Sequence, residues 1–227
     1  MHFSVVIPAL NEAAAIGRAA RSAWEAGALE VIVADGGSDD ETAREAAKEN
    51  CRVVSALRGR ARQQNAGARL ATGDVVLFLH ADAALAPQVG AQLTEAFANP
   101  RVLSCALKQR IEAGGLAYRC LERGNAERVR WLGIPYGDQA IGVRREGFQQ
   151  FGGFPDVPLL EDLLLMRQLR RQSWPVLLDG PVFVSPRRWQ EHGVVRQTLR
   201  NWGILARFAC GIPPARLADL YRRHDEA

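Results

Sequence analysis

The sequence has 227 residues, of which 48% are hydrophobic, and its formal net charge is +4. This length and composition are typical of one globular domain with a sizeable core, and they exclude a low-complexity or solenoid protein. The 4 cysteines are widely spaced and form no Cys-x-x-Cys pair, which argues against a structural zinc site or a disulfide framework. No apolar run approaches the roughly 18 residues that span a bilayer, so we expect a cytoplasmic protein.

The positive charge comes almost entirely from arginine, since Lys48 and Lys108 are the only lysines. Arginine recognises phosphates and carboxylates through paired hydrogen bonds, so a phosphorylated ligand or an anionic surface suits this composition. A nucleic-acid binder is the alternative, and it predicts an affinity that falls steeply with salt. Because the arginines are dispersed and no nucleic-acid motif is present, we expect no nucleic-acid partner and interpret most arginines as solvated surface.

The first half of the chain alternates between predicted strands and helices. Its strand segments are short, β-branched and almost free of charge, which is typical of strands buried on both faces of a parallel sheet. The resulting βαβαβαβ order predicts an α/β fold with a mainly parallel sheet. The predicted strands are residues 3–8, 31–34, 51–56 and 75–79, and the predicted helices are residues 12–26, 41–49, 63–71 and 87–98.

The second half is less regular, and its elements follow one another without a clear βα repeat. Short apolar runs and amphipathic segments still predict strands and helices. The predicted strands are residues 103–111, 139–144, 176–178 and 182–185, and the predicted helices are residues 116–130, 163–171 and 194–209.

Three of the buried strands run directly into polar or acidic loops. The first is followed by Asn11 and Glu12, the second by Asp35, and the fourth by His80 and Asp82. In parallel sheets ligands bind just beyond the carboxyl ends of the strands, so we expect these loops to converge on one site. An acidic site in a basic chain indicates that the ligand brings a metal ion or hydrogen-bond donors.

The loop after the first strand excludes a dinucleotide site of the Rossmann type. Residues 8–12 read Pro-Ala-Leu-Asn-Glu, whereas a Rossmann phosphate loop requires glycines at Gly-x-Gly-x-x-Gly spacing. A Walker-type phosphate loop is absent as well.

Five motifs, taken in order, resemble the signature of family 2 glycosyltransferases. An ordered set of five is far more specific than any one of them alone. The resemblance implies a GT-A fold and an inverting transfer of a sugar from a nucleotide-diphosphate sugar to a hydroxyl acceptor. The motifs are residues 4–12, 33–40, 65–74, 80–82 and 161–162.

Two segments, residues 59–68 and 77–82, look most like a small soluble bacterial subgroup labelled for arsenosugar biosynthesis. The label carries little weight for the substrate. By the same resemblance, the single GT-A domain has a nucleotide-binding half at residues 1–98, an acceptor-side half at residues 99–190 and a C-terminal helical segment at residues 191–227.

The resemblance assigns most of the polar loop residues to the sugar donor. Asp35 would accept a hydrogen bond from the imide N–H of the base, which favours UDP over GDP. Arg187 and Arg188 would clamp the diphosphate beside Trp189, although a structural salt bridge and a core tryptophan explain these residues almost as well. The predicted donor site comprises Pro8, Ala9, Asn11, Glu12, Asp35, Gly37, Arg60, Gln64, His80, Ala81, Asp82, Arg187, Arg188 and Trp189.

The resemblance also implies a divalent cation, Mn²⁺ or Mg²⁺, with Asp82 as its ligand. The family's usual Asp-x-Asp is replaced here by His80-Ala81-Asp82. Imidazole is a poor ligand for Mg²⁺ and an acceptable one for Mn²⁺, so we place His80 near the nucleotide or ribose. A packed imidazole without a ligand role explains His80 equally well.

Two other groups of residues have an ordinary structural interpretation. Arg60 and Gln64 share one helical face and could reach the base or the diphosphate, with surface packing as the alternative. For Asp39 and Asp40 we favour capping of the helix that follows, because an acid at that position meets free backbone N–H groups and the helix dipole.

Inversion by single displacement requires a base that takes the proton of the attacking hydroxyl. By resemblance to the family's Glu-Asp motif, Asp162 is the predicted base and Glu161 lies beside it for the acceptor or for orientation. Two acids at a helix start are also a routine capping arrangement. Asp138 or Gln139, in the loop of residues 133–139, could touch the acceptor.

The last segment, residues 196–214, places apolar side chains at helical spacing among arginines. Packing on the domain is the usual interpretation, and a dimer or peripheral contact at the inner face of the membrane is the alternative. The acceptor stays open between a small molecule, a glycan and a lipid-linked molecule, and so does the oligomeric state.

Two other functions compete with a glycosyltransferase. A sugar-1-phosphate nucleotidyltransferase would show a Gly-rich loop with lysine and arginine near the first strand, which residues 9–17 lack. A non-catalytic nucleotide-sugar sensor could share the fold, but the presence of both Asp82 and Asp162 argues against it.

Overall fold

A computed structural model describes the backbone of residues 1–225 and the side chains of residues 1–220. The strands in this part of the chain are β1 (Phe3–Ala9), β2 (Glu30–Asp35), β3 (Arg52–Ser55), β4 (Val75–Phe78), β5 (Ala83–Leu85), β6 (Ser104–Ile111), β7 (Ile141–Arg144) and β8 (Val176–Val184). The helices are α1 (Ile16–Glu25), α2 (Thr42–Lys48), α3 (Arg60–Leu70), α4 (Val89–Phe97), α5 (Leu116–Leu132), α6 (Arg145–Gln150), α7 (Glu161–Leu169), α8 (Arg187–His192), α9 (Val194–Ala209) and α10 (Pro214–Asp225), and a 3-10 helix covers Gly137–Gln139.

All eight described strands form one sheet in the order β3-β2-β1-β4-β7-β6-β8-β5. The first four pair in parallel, β7 runs antiparallel to both of its neighbours, β6 and β8 are parallel, and β5 is antiparallel to β8. The prediction of an α/β fold with a mainly parallel sheet is therefore confirmed. Because β5 comes from the first half of the chain and pairs with β8 from the second, one sheet joins the two halves.

The sheet is buried on both faces, which explains the uninterrupted apolar runs of its central strands. On one face, Val5 and Ile7 belong to a cluster that includes residues of α1 and α4. On the other face, Val6 and Phe78 belong to a cluster that includes residues of α3, α6 and α7. Packing on both faces leaves the carboxyl edge of β1, β2 and β4 open to a ligand.

Helix α1 begins at Ile16, so the predicted start at residue 12 is wrong. The backbone N–H of Glu12 donates to Thr42 Oγ1 at 2.7 Å, and that of Ala13 donates to Asp40 Oδ2 at 3.1 Å. These acceptors from the neighbouring loop hold residues 12–15 in a turn, although the alanines there favour a helix. The first loop is therefore tied to the second one.

Residues 176–178 and 182–185 were expected as two strands, but Val176–Val184 is one strand. Gly180 and the proline after it suggest a turn, yet here they form a bulge at which the pairing with β6 changes register. Side chains of α4 satisfy the bulge: Gln88 Nε2 donates to the Gly180 carbonyl at 2.8 Å, and the Gly180 N–H donates to Gln92 Oε1 at 2.9 Å. Because these partners lie about 90 residues away in sequence, a local pattern does not reveal them.

Elements β5, α6, α8, α10 and the 3-10 helix were not expected from the sequence. Several boundaries also moved: α3 begins at Arg60 instead of residue 63, the 3-10 helix takes the first residue of the strand predicted at 139–144, and α7 begins at Glu161 instead of residue 163. Glu161 and Asp162 therefore lie in the first turn of α7. No helix within residues 1–225 combines the length and hydropathy needed to cross a bilayer.

Candidate active site

A cavity of about 600 Å³ opens at the carboxyl ends of β1 and β4. Its walls come from the loops after these strands, the 3-10 helix, the start of α7, and helices α8 and α9. Of the site residues predicted from the sequence, those that line this cavity are Pro8, Ala9, Glu12, Arg60, His80, Ala81, Asp82, Asp138, Asp162, Arg187, Arg188 and Trp189.

Five predicted site residues lie outside this lining. Asn11, Asp35 and Gly37 belong to the adjoining loops after β1 and β2, where a base could extend beyond the cavity. Gln64 is buried in α3, and Glu161 is buried behind the cavity wall. Their roles in donor binding and catalysis remain predictions.

The two loops that would frame a nucleotide are fastened together by hydrogen bonds. The Asn11 N–H donates to Ser38 Oγ at 2.9 Å, and Asn11 Oδ1 accepts from the Asp39 N–H at 2.9 Å. The Asp35 carboxylate accepts from the backbone N–H of Gly37 and of Ser38 at 3.2 and 3.1 Å. Asp35 thus shapes its own loop and keeps further acceptor capacity for a ligand.

The capping interpretation holds for Asp40, whose Oδ1 accepts from the N–H of Thr42, the first residue of α2, at 3.0 Å. These bonds and the contact with Thr42 Oγ1 lower the pKa of Asp40. The carboxylate of Asp40 is therefore already used in hydrogen bonds within the protein.

Gln63 lines the cavity at the point where the sequence suggested Gln64. Its Nε2 donates to the carbonyl of Ala9 at 2.7 Å and to that of Ala34 at 3.0 Å. These carbonyls lie near the ends of β1 and β2, so the buried amide joins the two strands. A Cβ at Gly36 would lie 2.9 Å from the Gln63 side chain, so a larger residue here would force the Gln63 amide to move.

Glu12 and Asp82 form the open acidic pair at one end of the cavity. Burial and the nearby Asp82 charge raise the pKa of Glu12, while Arg187, with Nη2 at 3.6 Å from Glu12 Oε1, opposes that rise. Two carboxylates that repel each other across a cavity favour a cation between them. This is the part of the site that could hold a divalent metal.

His80 lies within the loop after β4, with its Nε2 buried and without a hydrogen-bond partner among the described residues. Burial lowers the pKa of His80 to about 3, and the charges of Arg60 and Arg188 act in the same direction. The ring is therefore neutral near pH 7. A Cβ at Gly137 would lie 2.6 Å from His80 Nε2 and 3.6 Å from Asp162 Oδ2, so His80 and Asp162 approach the same point.

Glu161 and Asp162 form the buried acidic pair in the first turn of α7. Glu161 is 1% exposed and pairs with Arg60 Nε. Burial raises the pKa of Glu161, and the Arg60 charge opposes the rise. Asp162 Oδ2 accepts from the Gly137 N–H at 2.7 Å, and Oδ1 accepts from the Leu163 N–H at 2.7 Å, so its carboxylate faces the cavity in one fixed orientation.

The 3-10 helix that supplies the Gly137 N–H is held by Arg128 of α5. The Arg128 guanidinium lies 3.7 Å from the Tyr136 ring centroid and donates to Gln139 Oε1 at 2.6 Å. Burial lowers the pKa of Arg128. These contacts of Arg128 fix the turn that carries Asp138 and the Gly137 N–H, which donates to Asp162.

Asp138 lines the cavity, and its Oδ1 is buried without a hydrogen-bond partner in the described part of the chain. Burial raises the pKa of Asp138, with Arg128 acting against the rise. The expectation that Asp138 touches the acceptor stays a prediction, and the other candidate, Gln139, is occupied by Arg128.

The remaining lining combines polar side chains of α8 and α9 with apolar side chains that were not expected from the sequence. Leu159 and Leu160 precede α7, while Ile204 and Leu205 lie on α9. Leu160 has a φ of 67°, a left-handed conformation immediately before the acidic pair. No local pattern could have identified these residues, because their role depends on where the chain returns over the sheet.

The parallel half-sheet with loops at its carboxyl edge, closed by an acid-lined cavity, defines the GT-A class of glycosyltransferase folds. The chain belongs to glycosyl transferase family 2, whose family model matches residues 4–149. A comparison with curated proteins finds no match. The resemblance to the bacterial subgroup remains a prediction.

Solved structures support the fold assignment. S. aureus TarS 1-349 in complex with UDP shares 19% identity and a TM-score of 0.64, with 84% of this chain and 63% of that chain covered. Mycobacterium tuberculosis glucosyl-3-phosphoglycerate synthase in complex with Mn²⁺ and UDP-glucose shares 23% identity and a TM-score of 0.60, with 93% of this chain and 80% of that chain covered. The chain thus spans less than two thirds of TarS 1-349, and at these identities the likeness shows the fold.

Proposed function

We propose that this protein is an inverting glycosyltransferase that transfers a sugar from a UDP-sugar to a hydroxyl acceptor. One observation carries the proposal: a single cavity is lined both by Glu12 and Asp82 and by the oriented Asp162 carboxylate. The open acidic pair suits a cation and a diphosphate, and Asp162 suits a base. TarS and the mycobacterial synthase, which share the fold, are solved with UDP or UDP-sugars.

The donor diphosphate would lie near Asp82, within reach of Arg187 and Arg188. Both arginines line the cavity, and Arg187 already contacts Glu12. Guanidinium groups bind phosphate oxygens through paired hydrogen bonds, so they stabilise the charge that develops on the leaving diphosphate. The nucleotide base of the donor would extend toward Asp35 in the adjoining loop.

The residues of the open acidic pair fit a divalent cation shared with the diphosphate. Mg²⁺ is commonly held by one or two carboxylates together with substrate phosphates, and Mn²⁺ tolerates a nearby imidazole. Asp82 would be the ligand, with Glu12 beside it, and His80 offers an unpartnered nitrogen in the same wall. The cation would neutralise negative charge on the leaving diphosphate.

Asp162 would act as the general base. The acceptor oxygen attacks the anomeric carbon, the bond from that carbon to the diphosphate breaks, and the hydroxyl proton passes to Asp162. The Gly137 N–H orients the carboxylate, and each carboxylate oxygen retains a lone pair for the proton. Hexosyl specificity and the acceptor remain to be identified.

A thermal-shift experiment tests the donor half of the proposal. UDP, GDP, dTDP and CMP are added with and without Mn²⁺ or Mg²⁺, to the wild type and to Asp82→Ala. A ligand at about 100 times its Kd adds about 2.7 kcal/mol, which raises the midpoint by several degrees for a domain of this size. We expect a metal-dependent shift for UDP that Asp82→Ala abolishes. The absence of a shift with any nucleotide would contradict the proposal.

A further inference from the structure

Helix α9 has an exposed apolar face that the proposed transferase does not use. Val195, Leu199 and Trp202 are 71%, 58% and 64% exposed. At about 100° per residue they fall within one arc of roughly 60°. The opposite face of the same helix lines the cavity with Gln197 and Ile204.

Arginines flank this exposed stripe on one side. Arg196, Arg200 and Arg207 share the adjacent arc of α9 by the same helical geometry. From residue 192 to residue 218 the sequence contains these arginines and Arg216 but no aspartate or glutamate. A positive segment of this length is complementary to a negatively charged surface.

Trp202 differs from the other exposed tryptophans. The Nε1 of Trp131 donates to Glu127 at 3.0 Å, and that of Trp174 donates to the Arg130 carbonyl at 3.2 Å. For Trp202 no acceptor occurs among the described residues. An indole with its ring exposed and its N–H unused suits the boundary between lipid headgroups and acyl chains.

We propose that the outer face of α9, defined by Val195, Leu199 and Trp202 with the flanking arginines, docks on an anionic lipid bilayer. The apolar stripe enters the headgroup region, and the arginines meet lipid phosphates. Because the inner face of α9 lines the cavity, docking places the cavity wall next to the lipid surface. The docking does not require transferase activity.

The experiment is co-sedimentation of the full chain with vesicles of phosphatidylcholine, alone or mixed with phosphatidylglycerol. We expect binding to the mixed vesicles that falls as salt rises. Arg196→Gln combined with Arg207→Gln should lower the partition coefficient about fivefold for each charge. The matched control, Arg69→Gln combined with Arg171→Gln, removes the same charge from exposed positions on α3 and in the turn after α7, and it should change little.

A second pair of variants tests the apolar stripe. Trp202→Ala should lower vesicle binding about tenfold, whereas Trp131→Ala should leave it unchanged. Equal binding to both kinds of vesicle, or equal effects of the α9 and control variants, would overturn the proposal. So would a dimer in sedimentation velocity that Trp202→Ala dissociates, because the stripe would then cover a second copy.

The outcome is separable from that of the proposed function. Unfolding midpoints of all variants verify folding, and the UDP thermal shift reports the donor site independently. Vesicle binding without a UDP shift would contradict the transferase alone, and a UDP shift without vesicle binding would contradict the docking surface alone.

Discussion

The two acidic pairs of the cavity are built in opposite ways. Glu12 and Asp82 both line the cavity, where burial and the nearby Asp82 charge raise the pKa of Glu12 and Arg187 offsets the rise only in part. Glu161 and Asp162 are each met by a protein donor, Arg60 in one case and the Gly137 N–H in the other. The fold leaves the first pair to be completed by a ligand and completes the second pair itself, as we expect for a cation site and for an oriented base.

The largest expected effect comes from removing the base of the buried pair. Asp162→Asn keeps the size of the side chain and an oxygen for the Gly137 N–H but cannot accept the proton. We expect kcat to fall by about 10²–10⁴ while the UDP thermal shift is retained. This kcat is measured from steady-state sugar transfer, or from donor hydrolysis where no acceptor is known. Asp179→Asn, at an exposed carboxylate, is the control, and an unchanged kcat in Asp162→Asn would place the base elsewhere.

Next in size is the ion pair between Arg60 and Glu161. Glu161→Gln removes this ion pair and leaves a buried neutral amide in its place, so we expect the free energy of unfolding to fall by about 1–3 kcal/mol. The chain offers a matched pair two residues further along α3: Arg62 and Asp156 contact at 2.8 Å with both side chains exposed. Asp156→Asn should cost much less, because solvent screens an exposed ion pair. Equal costs in urea unfolding would show that burial does not distinguish the two pairs.

A third variant tests the close approach between the turn and His80. In Gly137→Ala the new Cβ meets His80 Nε2 at 2.6 Å, so we expect a loss of about 1–3 kcal/mol in the free energy of unfolding. Gly124→Ala in α5 meets nothing within 4 Å and should stabilise by about 0.5–1 kcal/mol. Combining Gly137→Ala with His80→Ala should restore part of the loss. If it restores none, the clash is not the cause.

The smallest expected effect is a pH dependence in the open pair. The pKa of Glu12 is raised in the folded state above its ordinary value of 4.5. Its contribution to stability is therefore fully present below pH 4.5 and is lost as the pH rises through the pKa of the folded state. Glu12→Gln should therefore gain a small amount of stability relative to the wild type as pH rises to neutral, because solvent screens a half-buried carboxylate. Urea unfolding across pH measures this difference. In an Asp82→Asn background it should shrink, and an unchanged difference would remove Asp82 as a cause.

Much of the sheet was predictable because its signals are local. The strands β1 to β4 are apolar segments, and the acids that follow them lie where loops of parallel strands converge. The bulge at Gly180 was not predictable, since the amides that satisfy it belong to α4.

The candidate site divides in the same way. Glu12, Asp82 and Asp162 could be chosen from motifs, and the structure brings all three to one cavity. The role of the Gly137 N–H and the choice of Gln63 over Gln64 could not be predicted from the sequence, because they depend on which side of a helix or turn faces the sheet. A period of 3.6 residues identifies a face but does not say what that face meets.

Gln63 has a consequence for how the site moves. Its amide is shared between the carbonyls of Ala9 and Ala34, so a buried side chain reinforces the backbone pairing that joins the ends of β1 and β2. A ligand that enters between the two loops therefore meets a rim of constant width. Adaptation to different ligands then falls to the other side of the cavity, where helices α8 and α9 close over the sheet.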